Sequence, residues 1–224
     1  MESMFSTLLQ LPLFQGLCQE DFTSILGKVK LHFTKHKHGE VIARGKDTCD
    51  KLIFLLKGEI TVVTRSESES LIFLESYNEP YLIEPHSLFG LDTIYRSTYI
   101  ARSEVNVLSI DKSYVIKELL KYEIFRINYI NAISNRSQTL HKRLWEPKPN
   151  KIRDKIIHFI LIHAERPEGE KILKIRMDDL ARNLNDTRLN VSKALNEFQE
   201  EGLIILRRKE ILVPEASLLM RELS

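Results

Sequence analysis

The sequence predicts an α+β protein with an N-terminal antiparallel β jelly roll, a long central helix and a C-terminal winged helix-turn-helix. Residues 31–110 contain short runs of β-branched and aromatic residues separated by turn residues, which is typical of strands. Residues 112–144 have helical spacing, and residues 177–213 have the pattern of two short helices followed by a β-hairpin. We therefore expect a barrel domain at residues 1–111, a dimerisation helix at residues 112–146 and a winged-helix domain at residues 147–224.

The composition is that of a globular protein of ordinary charge. The 224 residues are 43% hydrophobic and 29% charged, with a formal net charge of +2, so charge alone indicates no class of partner. No apolar run is long enough to cross a bilayer, and the N-terminus lacks the basic start and apolar core of a signal peptide. We therefore expect a cytoplasmic protein with no membrane partner. Cys18 and Cys49 fit a reducing compartment and are too few to ligate an iron–sulfur cluster within one subunit.

The first half of the chain predicts several short strands. Residues 51–64, KLIFLLKGEITVVT, have the pattern of two strands joined by a turn at Lys57-Gly58-Glu59. Further strands are expected at residues 71–74, 81–83, 100–102 and 105–110. Because no long helix separates these strands, they favour an antiparallel barrel or jelly roll.

The later part of the central helix carries a stripe that predicts a parallel homodimer. Its members follow one another at spacings of three, four, three and four residues, which form the seam of a two-stranded coiled coil: Ile130, Ile133, Ser137, Leu140 and Leu144. A second copy of the chain would cover this seam, and packing against the protein's own barrel is the alternative. Residues 146–150, EPKPN, then predict a hinge, because proline lacks an N–H group and restrains the residue before it.

The helix-turn-helix is predicted from two apolar faces and the turn between them. Met177, Leu180, Ala181 and Leu184 form one face of the first helix. Asn185-Asp186 supplies the turn, and the Thr187 hydroxyl is expected to cap the second helix. In that helix the buried face is Val191, Ala194, Leu195 and Phe198, and Gly202 follows its end.

The outward face of the second helix predicts contact with double-stranded DNA. It carries Leu189, Ser192, Lys193 and Asn196, with Arg188 at its N-terminal end. In the major groove Arg188 would contact guanine, Thr187 and Lys193 would anchor phosphates, and Leu189 would touch a thymine methyl group. The hairpin, expected at residues 203–206 and 211–213, has a cationic tip suited to phosphates: Arg207, Arg208 and Lys209.

The sequence also bears on three other functions: protein interaction, metal binding and catalysis. Positive and negative charges nearly balance over residues 150–224, so charge does not exclude a protein-interaction module that never binds DNA. The charge pattern favours DNA only through the clustering of Lys174, Arg176 and Arg182 near the reading helix. His32, His36 and His38 share one strand face, but no cysteine or carboxylate completes a ligand set, so we expect no metal. No nucleotide-binding loop or catalytic motif is present in the sequence, so we expect no enzyme.

In this order of elements the chain resembles the cyclic-AMP receptor protein and fumarate-nitrate reductase regulator (Crp/Fnr) family of bacterial transcription factors. The resemblance also rests on PLFQGL at residues 12–17, EDF at 20–22, GEVI at 39–42, Gly45, and KLIFLLKG at 51–58. It implies a homodimeric regulator of transcription that reads a near-palindromic site with half-sites about one helical turn apart. It further implies an effector-responsive barrel and recruitment of RNA polymerase. The alternative function is a cyclic-nucleotide-binding or protein-interaction module whose C-terminal domain does not read DNA.

The resemblance implies particular residues at both sites. In the reading helix Arg188 matches the family's first arginine, whereas Leu189 replaces an acidic residue and Lys193 replaces a later arginine. Loss of the acid removes the acceptor for a cytosine amino group, so we expect an operator different from that of the family. In the barrel, residues 89–92, FGLD, stand for the family's Phe-Gly-Glu, and Arg96-Ser97 for its phosphate-binding pair. The candidate ligand-binding residues are Gly90, Asp92, Arg96, Ser97 and Thr98. A cyclic nucleotide is the candidate cofactor, with another ligand or none as alternatives.

Overall fold

The computed structural model describes residues 8–78, 80–145 and 149–222. It divides into two compact units: the first holds the chain up to Thr61 together with Tyr77–Lys142, and the second holds Val62–Ser76 together with the chain from Arg143. The hairpin around residues 62–76, which the sequence groups with the barrel, is thus assigned to the second unit. The predicted domain boundaries at residues 111 and 146 stay a prediction.

The strands in chain order are β1 (His32–His36), β2 (Val41–Ala43), β3 (Lys51–Lys57), β4 (Glu59–Arg65), β5 (Leu71–Asn78), β6 (Tyr81–Ile83), β7 (Ser97–Ala101), β8 (Val105–Asp111), β9 (Lys171–Ile175), β10 (Ile205–Arg207) and β11 (Glu210–Val213). The α-helices are α1 (Gln19–Lys28), α2 (Lys112–Lys117), α3 (Glu123–Trp145), α4 (Ile152–His163), α5 (Met177–Asn183), α6 (Arg188–Glu200) and α7 (Ala216–Arg221).

The first unit is the antiparallel barrel that the sequence predicts. One sheet has the order β1-β8-β3-β6, and β4, β7 and β2 are neighbours in the other. Leu52, Phe54 and Leu108 are fully buried in its core. The turn between β3 and β4 requires glycine, because Gly58 has φ +99° and an added Cβ would lie 2.4 Å from the carbonyl oxygen of Glu104. The strand expected at residues 100–102 begins earlier, at Ser97, and the one expected at 71–74 extends to Asn78.

The central helix is interrupted, contrary to the prediction of one helical segment from residue 112. Helix α2 ends at Lys117, a 3-10 turn covers Leu119–Lys121, and Tyr122 is extended before α3 begins at Glu123. The interruption buries Leu119 completely, and burial of apolar surface outweighs the few helical hydrogen bonds that are lost. Early in α3, Phe125 is also buried and packs on the ring of Phe14 with 5.3 Å between centroids.

The second unit contains the winged helix-turn-helix. Its sheet has the order β10-β11-β9-β5, all antiparallel, with β4 beside β5. Strand β9, which the sequence analysis does not contain, lies between the wing and the hairpin strand β5. The first wing strand, β10, begins and ends later than expected because Ile204 is buried in the core of the second unit rather than lying in a strand, whereas β11 begins one residue earlier than expected and ends at Val213 as predicted.

Two sequence expectations concern chain segments rather than the core. Of the predicted hinge at residues 146–150, residues 146–148 lie outside the described residues, and Pro149 and Asn150 have no regular secondary structure. Within the part of the chain that the structure describes, none of the helices combines the length and apolar character needed to span a membrane.

Candidate functional site

The turn before α6 is fixed by a hydrogen-bonded carboxylate. Asn185 has φ +48°, and Asp186 Oδ1 accepts hydrogen bonds from the Asn190 side-chain amide and the Thr187 N–H, both at 2.9 Å. Its Oδ2 accepts from Lys155 Nζ of α4 at 3.0 Å. The hydrogen bond from Asn190, then those from Lys155 and Thr187, lower the pKa of Asp186 to about 2. The carboxylate therefore joins the turn to α4 and to the first turn of α6.

Helix α6 has the two faces that its sequence predicts. Thr187 caps the helix, since its Oγ1 accepts a hydrogen bond from the Asn190 N–H at 3.2 Å. The apolar side is buried: Val191, Ala194, Leu195 and Phe198. The other side faces solvent, with Ser192 half-buried and the rest exposed: Arg188, Leu189, Lys193 and Asn196. The Leu189 side chain is 78% exposed and lies in solvent next to Arg188.

A cleft of about 310 Å³ separates the start of α6 from the wing. Arg188 lines it, and its Nη1 lies 3.2 Å from Oδ1 of Asp178, which is also exposed. Arg207 lines the opposite side, where its Nη1 lies 3.2 Å from Oε1 of Glu210. Both guanidinium groups are more than half exposed, so these pairs hold them only weakly and leave donors for another anion.

The wing tip lies beside the helix-turn-helix. Arg208 and Lys209 are exposed at the turn between β10 and β11, where Lys209 has φ +60°. The Lys209 carbonyl accepts a hydrogen bond from the Ile175 N–H of β9 at 3.0 Å, which ties the tip to the residues just before α5. The cationic tip is therefore on the same side of the second unit as the cleft.

A buried aspartate beside this surface was missed at the sequence level. Asp179 of α5 is buried, and its carboxylate accepts hydrogen bonds from Arg176 Nε at 2.8 Å and Arg182 Nη1 at 3.2 Å. Both arginine side chains remain exposed, so Asp179 positions two guanidinium groups at the surface. The spacing of three residues on either side of Asp179 is the signal that would have found it.

The acidic end of α6 is paired away from the cleft. Arg153 of α4 donates to Glu201 through both Nη atoms, at 2.9 and 2.6 Å, and lies 3.5 Å from Glu197. Its guanidinium also stacks 4.2 Å from the centroid of the Phe198 ring. Glu197 and Glu201 are thus paired on the α4 side, while the N-terminal half of α6 carries Arg188 and Lys193.

The predicted ligand-binding residues of the barrel do not converge on one another. The side chains of Arg96 and Asp92 form an exposed ion pair. Gly90 has φ +105° and open space around it, and the Thr98 hydroxyl accepts a hydrogen bond from the Gly45 N–H at 3.0 Å. The backbone N–H group of Ser97 points instead to a glutamate that the sequence analysis did not select, Glu84, at 2.9 Å.

The seam predicted for dimerisation is exposed on α3. Ile133 is half-buried and Ser137 is exposed, whereas Ile130, Leu140 and Leu144 are large apolar residues that are about half to four-fifths exposed. Leu144 reaches 80%. A single chain therefore leaves most of this stripe in water.

The histidines considered as metal ligands have separate partners. His32 lies 3.5 Å from Asp111, His36 lies 3.9 Å from Glu40, and Nδ1 of His38 lies 2.7 Å from the Arg102 carbonyl oxygen. Among residues 8–78, 80–145 and 149–222, no group of three or more histidine, cysteine or acidic side chains could hold a metal ion.

Comparisons with known proteins agree with this arrangement. Residues 33–122 match the cyclic nucleotide-binding domain, and residues 154–222 match the Crp-like helix-turn-helix domain. The global nitrogen regulator of Synechococcus elongatus is 22% identical over 202 residues, covering 84% of this chain and 87% of that protein. The catabolite activator protein of Thermus thermophilus has a similar fold, with a TM-score of 0.54 and 19% identity over 95% of this chain and all of that one.

A cyclic nucleotide-binding barrel followed by a Crp-like helix-turn-helix is the architecture of a DNA-binding transcriptional regulator, which is not a class of enzyme. The chain has the two domains of the Crp/Fnr family of these regulators. The predicted resemblance and fold class are confirmed.

Proposed function

We propose that the protein is a homodimeric regulator that inserts α6 into the major groove and rests its wing on the phosphate backbone. The observation that carries this proposal is the division of charge along α6: its N-terminal half exposes Arg188, which lines the cleft, and Lys193, while Glu197 and the residue after the helix, Glu201, are paired with Arg153. A helix oriented in this way attracts phosphate at its N-terminus and exposes side chains long enough to reach base edges.

The residues divide into those that read bases and those that bind phosphates. Arg188 has the fork geometry for guanine, and Leu189 offers an apolar contact to a thymine methyl group. Ser192 and Asn196 lie further along the same face and can donate to or accept from base edges. The hydroxyl hydrogen of Thr187 is free to donate to a phosphate, because its oxygen is the capping acceptor. The phosphate contacts are completed by Lys193, Arg207, Arg208 and Lys209.

The experiment is selection of bound genomic fragments followed by titration of the recovered site with variants. Arg188→Ala should cost about 1 to 3 kcal/mol and relax specificity at one base pair. Lys193→Ala should weaken all sequences alike and reduce the slope of log affinity against log salt by about 1. The matched control is Arg221→Ala, an exposed arginine on α7, which should leave affinity unchanged. Unchanged affinity and specificity in Arg188→Ala would contradict the assigned reading face.

The dimer proposal rests on the exposed stripe of α3. Burying Ile130, Leu140 and Leu144 against a second copy would remove their apolar surface from water. Leu140→Asp should therefore shift the protein to monomers in sedimentation velocity and abolish tight binding to a two-half-site operator. Ile116→Asp is the control, since Ile116 is similarly exposed but lies on α2 outside the stripe. Dimers that persist in Leu140→Asp would show that another surface joins the copies.

Further parts of the proposal are supported by the family alone. Recruitment of RNA polymerase follows from the resemblance to regulators that activate transcription, and transcription in vitro from a selected fragment tests it. We further propose that the protein regulates by binding alone, with no catalytic step, and that it is located in the cytoplasm beside the chromosome.

A further inference from the structure

The most unusual group in the barrel is the carboxylate of Glu84. The residue lies directly after β6, is only 5% exposed, and has left-handed backbone angles of φ +34° and ψ +57°. A buried charge and a strained backbone at one non-glycine residue each cost free energy. Such a combination persists only where the surroundings stabilise it, so the partners of this carboxylate decide its role.

Neutral donors surround the carboxylate on both oxygens. Oε1 accepts hydrogen bonds from the Ser97 N–H at 2.9 Å and from the Tyr99 hydroxyl at 3.0 Å. Oε2 accepts from the Arg96 N–H at 2.8 Å and from the Ser87 hydroxyl at 2.8 Å. The Arg96 guanidinium takes no part, because it pairs with Asp92. We call these four donors, from Ser87, Arg96, Ser97 and Tyr99, the anion cradle.

Donors in this arrangement bind anions in general. Two successive backbone N–H groups and two hydroxyls that converge on one point stabilise a negative charge without a cation, and a carboxylate or a phosphate oxygen satisfies them equally well. In this chain the cradle is already satisfied by a side chain. A cyclic nucleotide placed with its phosphate on the Arg96 and Ser97 amides would have to displace Glu84 and leave that carboxylate buried without its donors. The residues present therefore do not fit a cyclic nucleotide.

We infer that Glu84 is a built-in ligand: its carboxylate occupies an anion site of the barrel, so that the wild-type barrel takes its bound conformation without an external cyclic nucleotide. Removal of the side chain converts the cradle into a site for small carboxylates and inorganic phosphate. This inference concerns the barrel alone and is independent of how the second unit meets DNA.

The Pro85–Ser87 turn that follows Glu84 contacts α3, so the hydrogen bonds of Glu84 also affect the position of this helix. The carbonyl oxygen of Pro85, the next residue, accepts a hydrogen bond from the Tyr129 hydroxyl of α3 at 2.5 Å. The Tyr129 ring is buried and meets Phe89 edge to face at 5.9 Å. Glu84 thus fixes one end of the Pro85–Ser87 turn in the cradle while the turn fixes α3. The position of α3 on the barrel is therefore set by an intramolecular anion.

The test replaces the carboxylate without straining the backbone. Glu84→Gly removes the side chain, and glycine adopts positive φ freely. The matched control is Glu69→Gly, because Glu69 also has positive φ, at +54°, but is exposed at the hairpin turn. Melting temperatures are measured by scanning fluorimetry in sodium formate, acetate or phosphate, with sodium chloride at equal ionic strength as the reference.

We expect Glu84→Gly to melt below Glu69→Gly in chloride and to recover with formate, acetate or phosphate. At ten times its dissociation constant, an anion should raise the melting temperature by about 3 to 6 °C. Wild type and Glu69→Gly should show no such rise, and wild type should not respond to cyclic AMP, cyclic GMP or phosphate. A rise of wild type with any of these, or a Glu84→Gly protein that responds to no anion, would overturn the inference.

A second variant covers the case in which Glu84→Gly does not fold. Glu84→Gln keeps the shape and one acceptor oxygen but turns an N–H₂ group toward the donors of the cradle. It should melt below wild type. Equal melting temperatures would show that the charge and second oxygen of Glu84 do not matter, and the inference would fail.

Discussion

Glu75 and Lys171 form a buried ion pair inside the second unit. Their exposed side-chain fractions are 5% and 0%, and Lys171 Nζ lies 3.0 Å from Glu75 Oε1. The Glu75 carboxylate also accepts from the Glu165 N–H at 3.0 and 3.2 Å, and Lys171 Nζ donates to the Glu168 carbonyl at 2.7 Å. The pair therefore joins strand β5 to strand β9, beside the backbone ladder in which Glu75 is opposite Lys171.

Glu75→Gln keeps an acceptor for the Glu165 N–H but removes the negative charge. An ammonium group that is fully buried then loses its carboxylate, and breaking a buried pair in this way costs about 3 to 5 kcal/mol. The second unit has about 100 residues, and for a domain of that size each 1 kcal/mol lowers the melting temperature by about 4 to 8 °C, so the expected drop is about 12 to 40 °C. Urea unfolding followed by circular dichroism gives the free energy directly.

Two further variants make the measurement specific. Glu67→Gln is the control on the same hairpin, and because Glu67 is exposed it should change stability by less than about 0.5 kcal/mol. The double variant Glu75→Gln with Lys171→Met should recover much of the loss, since no unpaired charge remains buried. A cost below about 1 kcal/mol for Glu75→Gln, similar to that of the control, would refute the assignment of this pair as a buried stabilising contact.

Three other outcomes follow from single positions. Asp186→Asn should lower the urea midpoint at pH 7 but not near pH 2. Because the pKa of Asp186 is lowered from 3.8 to about 2, the stability that its charge provides is complete above pH 3.8 and is lost as the pH falls through 2. An effect of the substitution that is equal at both pH values would contradict this. Gly58→Ala should cost about 3 kcal/mol in the same assay, because its Cβ would lie 2.4 Å from the Glu104 carbonyl oxygen. Gly39→Ala is the control: Gly39 has positive φ but open space around it, and its substitution should cost about 1 kcal/mol. Equal costs would count against the close approach at Gly58. Phe198→Ala should cost about 3 to 5 kcal/mol, since the ring is fully buried, and DNA binding at low temperature should survive if the variant still folds.

The sequence predicted those parts of the site that depend on neighbours along the chain. The buried and exposed faces of α6 follow from helical periodicity, and Thr187 was identified as the cap from its type and place alone. The turn at Gly58 and the apolar stripe of α3 were visible for the same reason. In each case successive residues that act together lie within about one turn of one another along the chain, so a pattern in the sequence carries the information.

Contacts between distant segments could not be obtained in this way. The break before α3 depends on where Leu119 finds a core to enter, and strand β9 was missed because its partner strand β5 lies about a hundred residues earlier in the chain. The carboxylate of Asp179 was overlooked because acidic residues are usually solvated, and only burial turns this one into a support for two arginines.

The barrel site shows most clearly the difference between what local sequence patterns reveal and what depends on contacts made in the folded protein. The order of barrel, long helix and winged helix-turn-helix, and the outward face of α6, can be inferred from the residues alone, because they depend on local periodicity and turn chemistry. It directed attention to Arg96 and Ser97 as phosphate donors. That their N–H groups bind Glu84 follows from the folded barrel, because its closure brings a residue 12 or 13 positions earlier into the cradle and commits the donors to it.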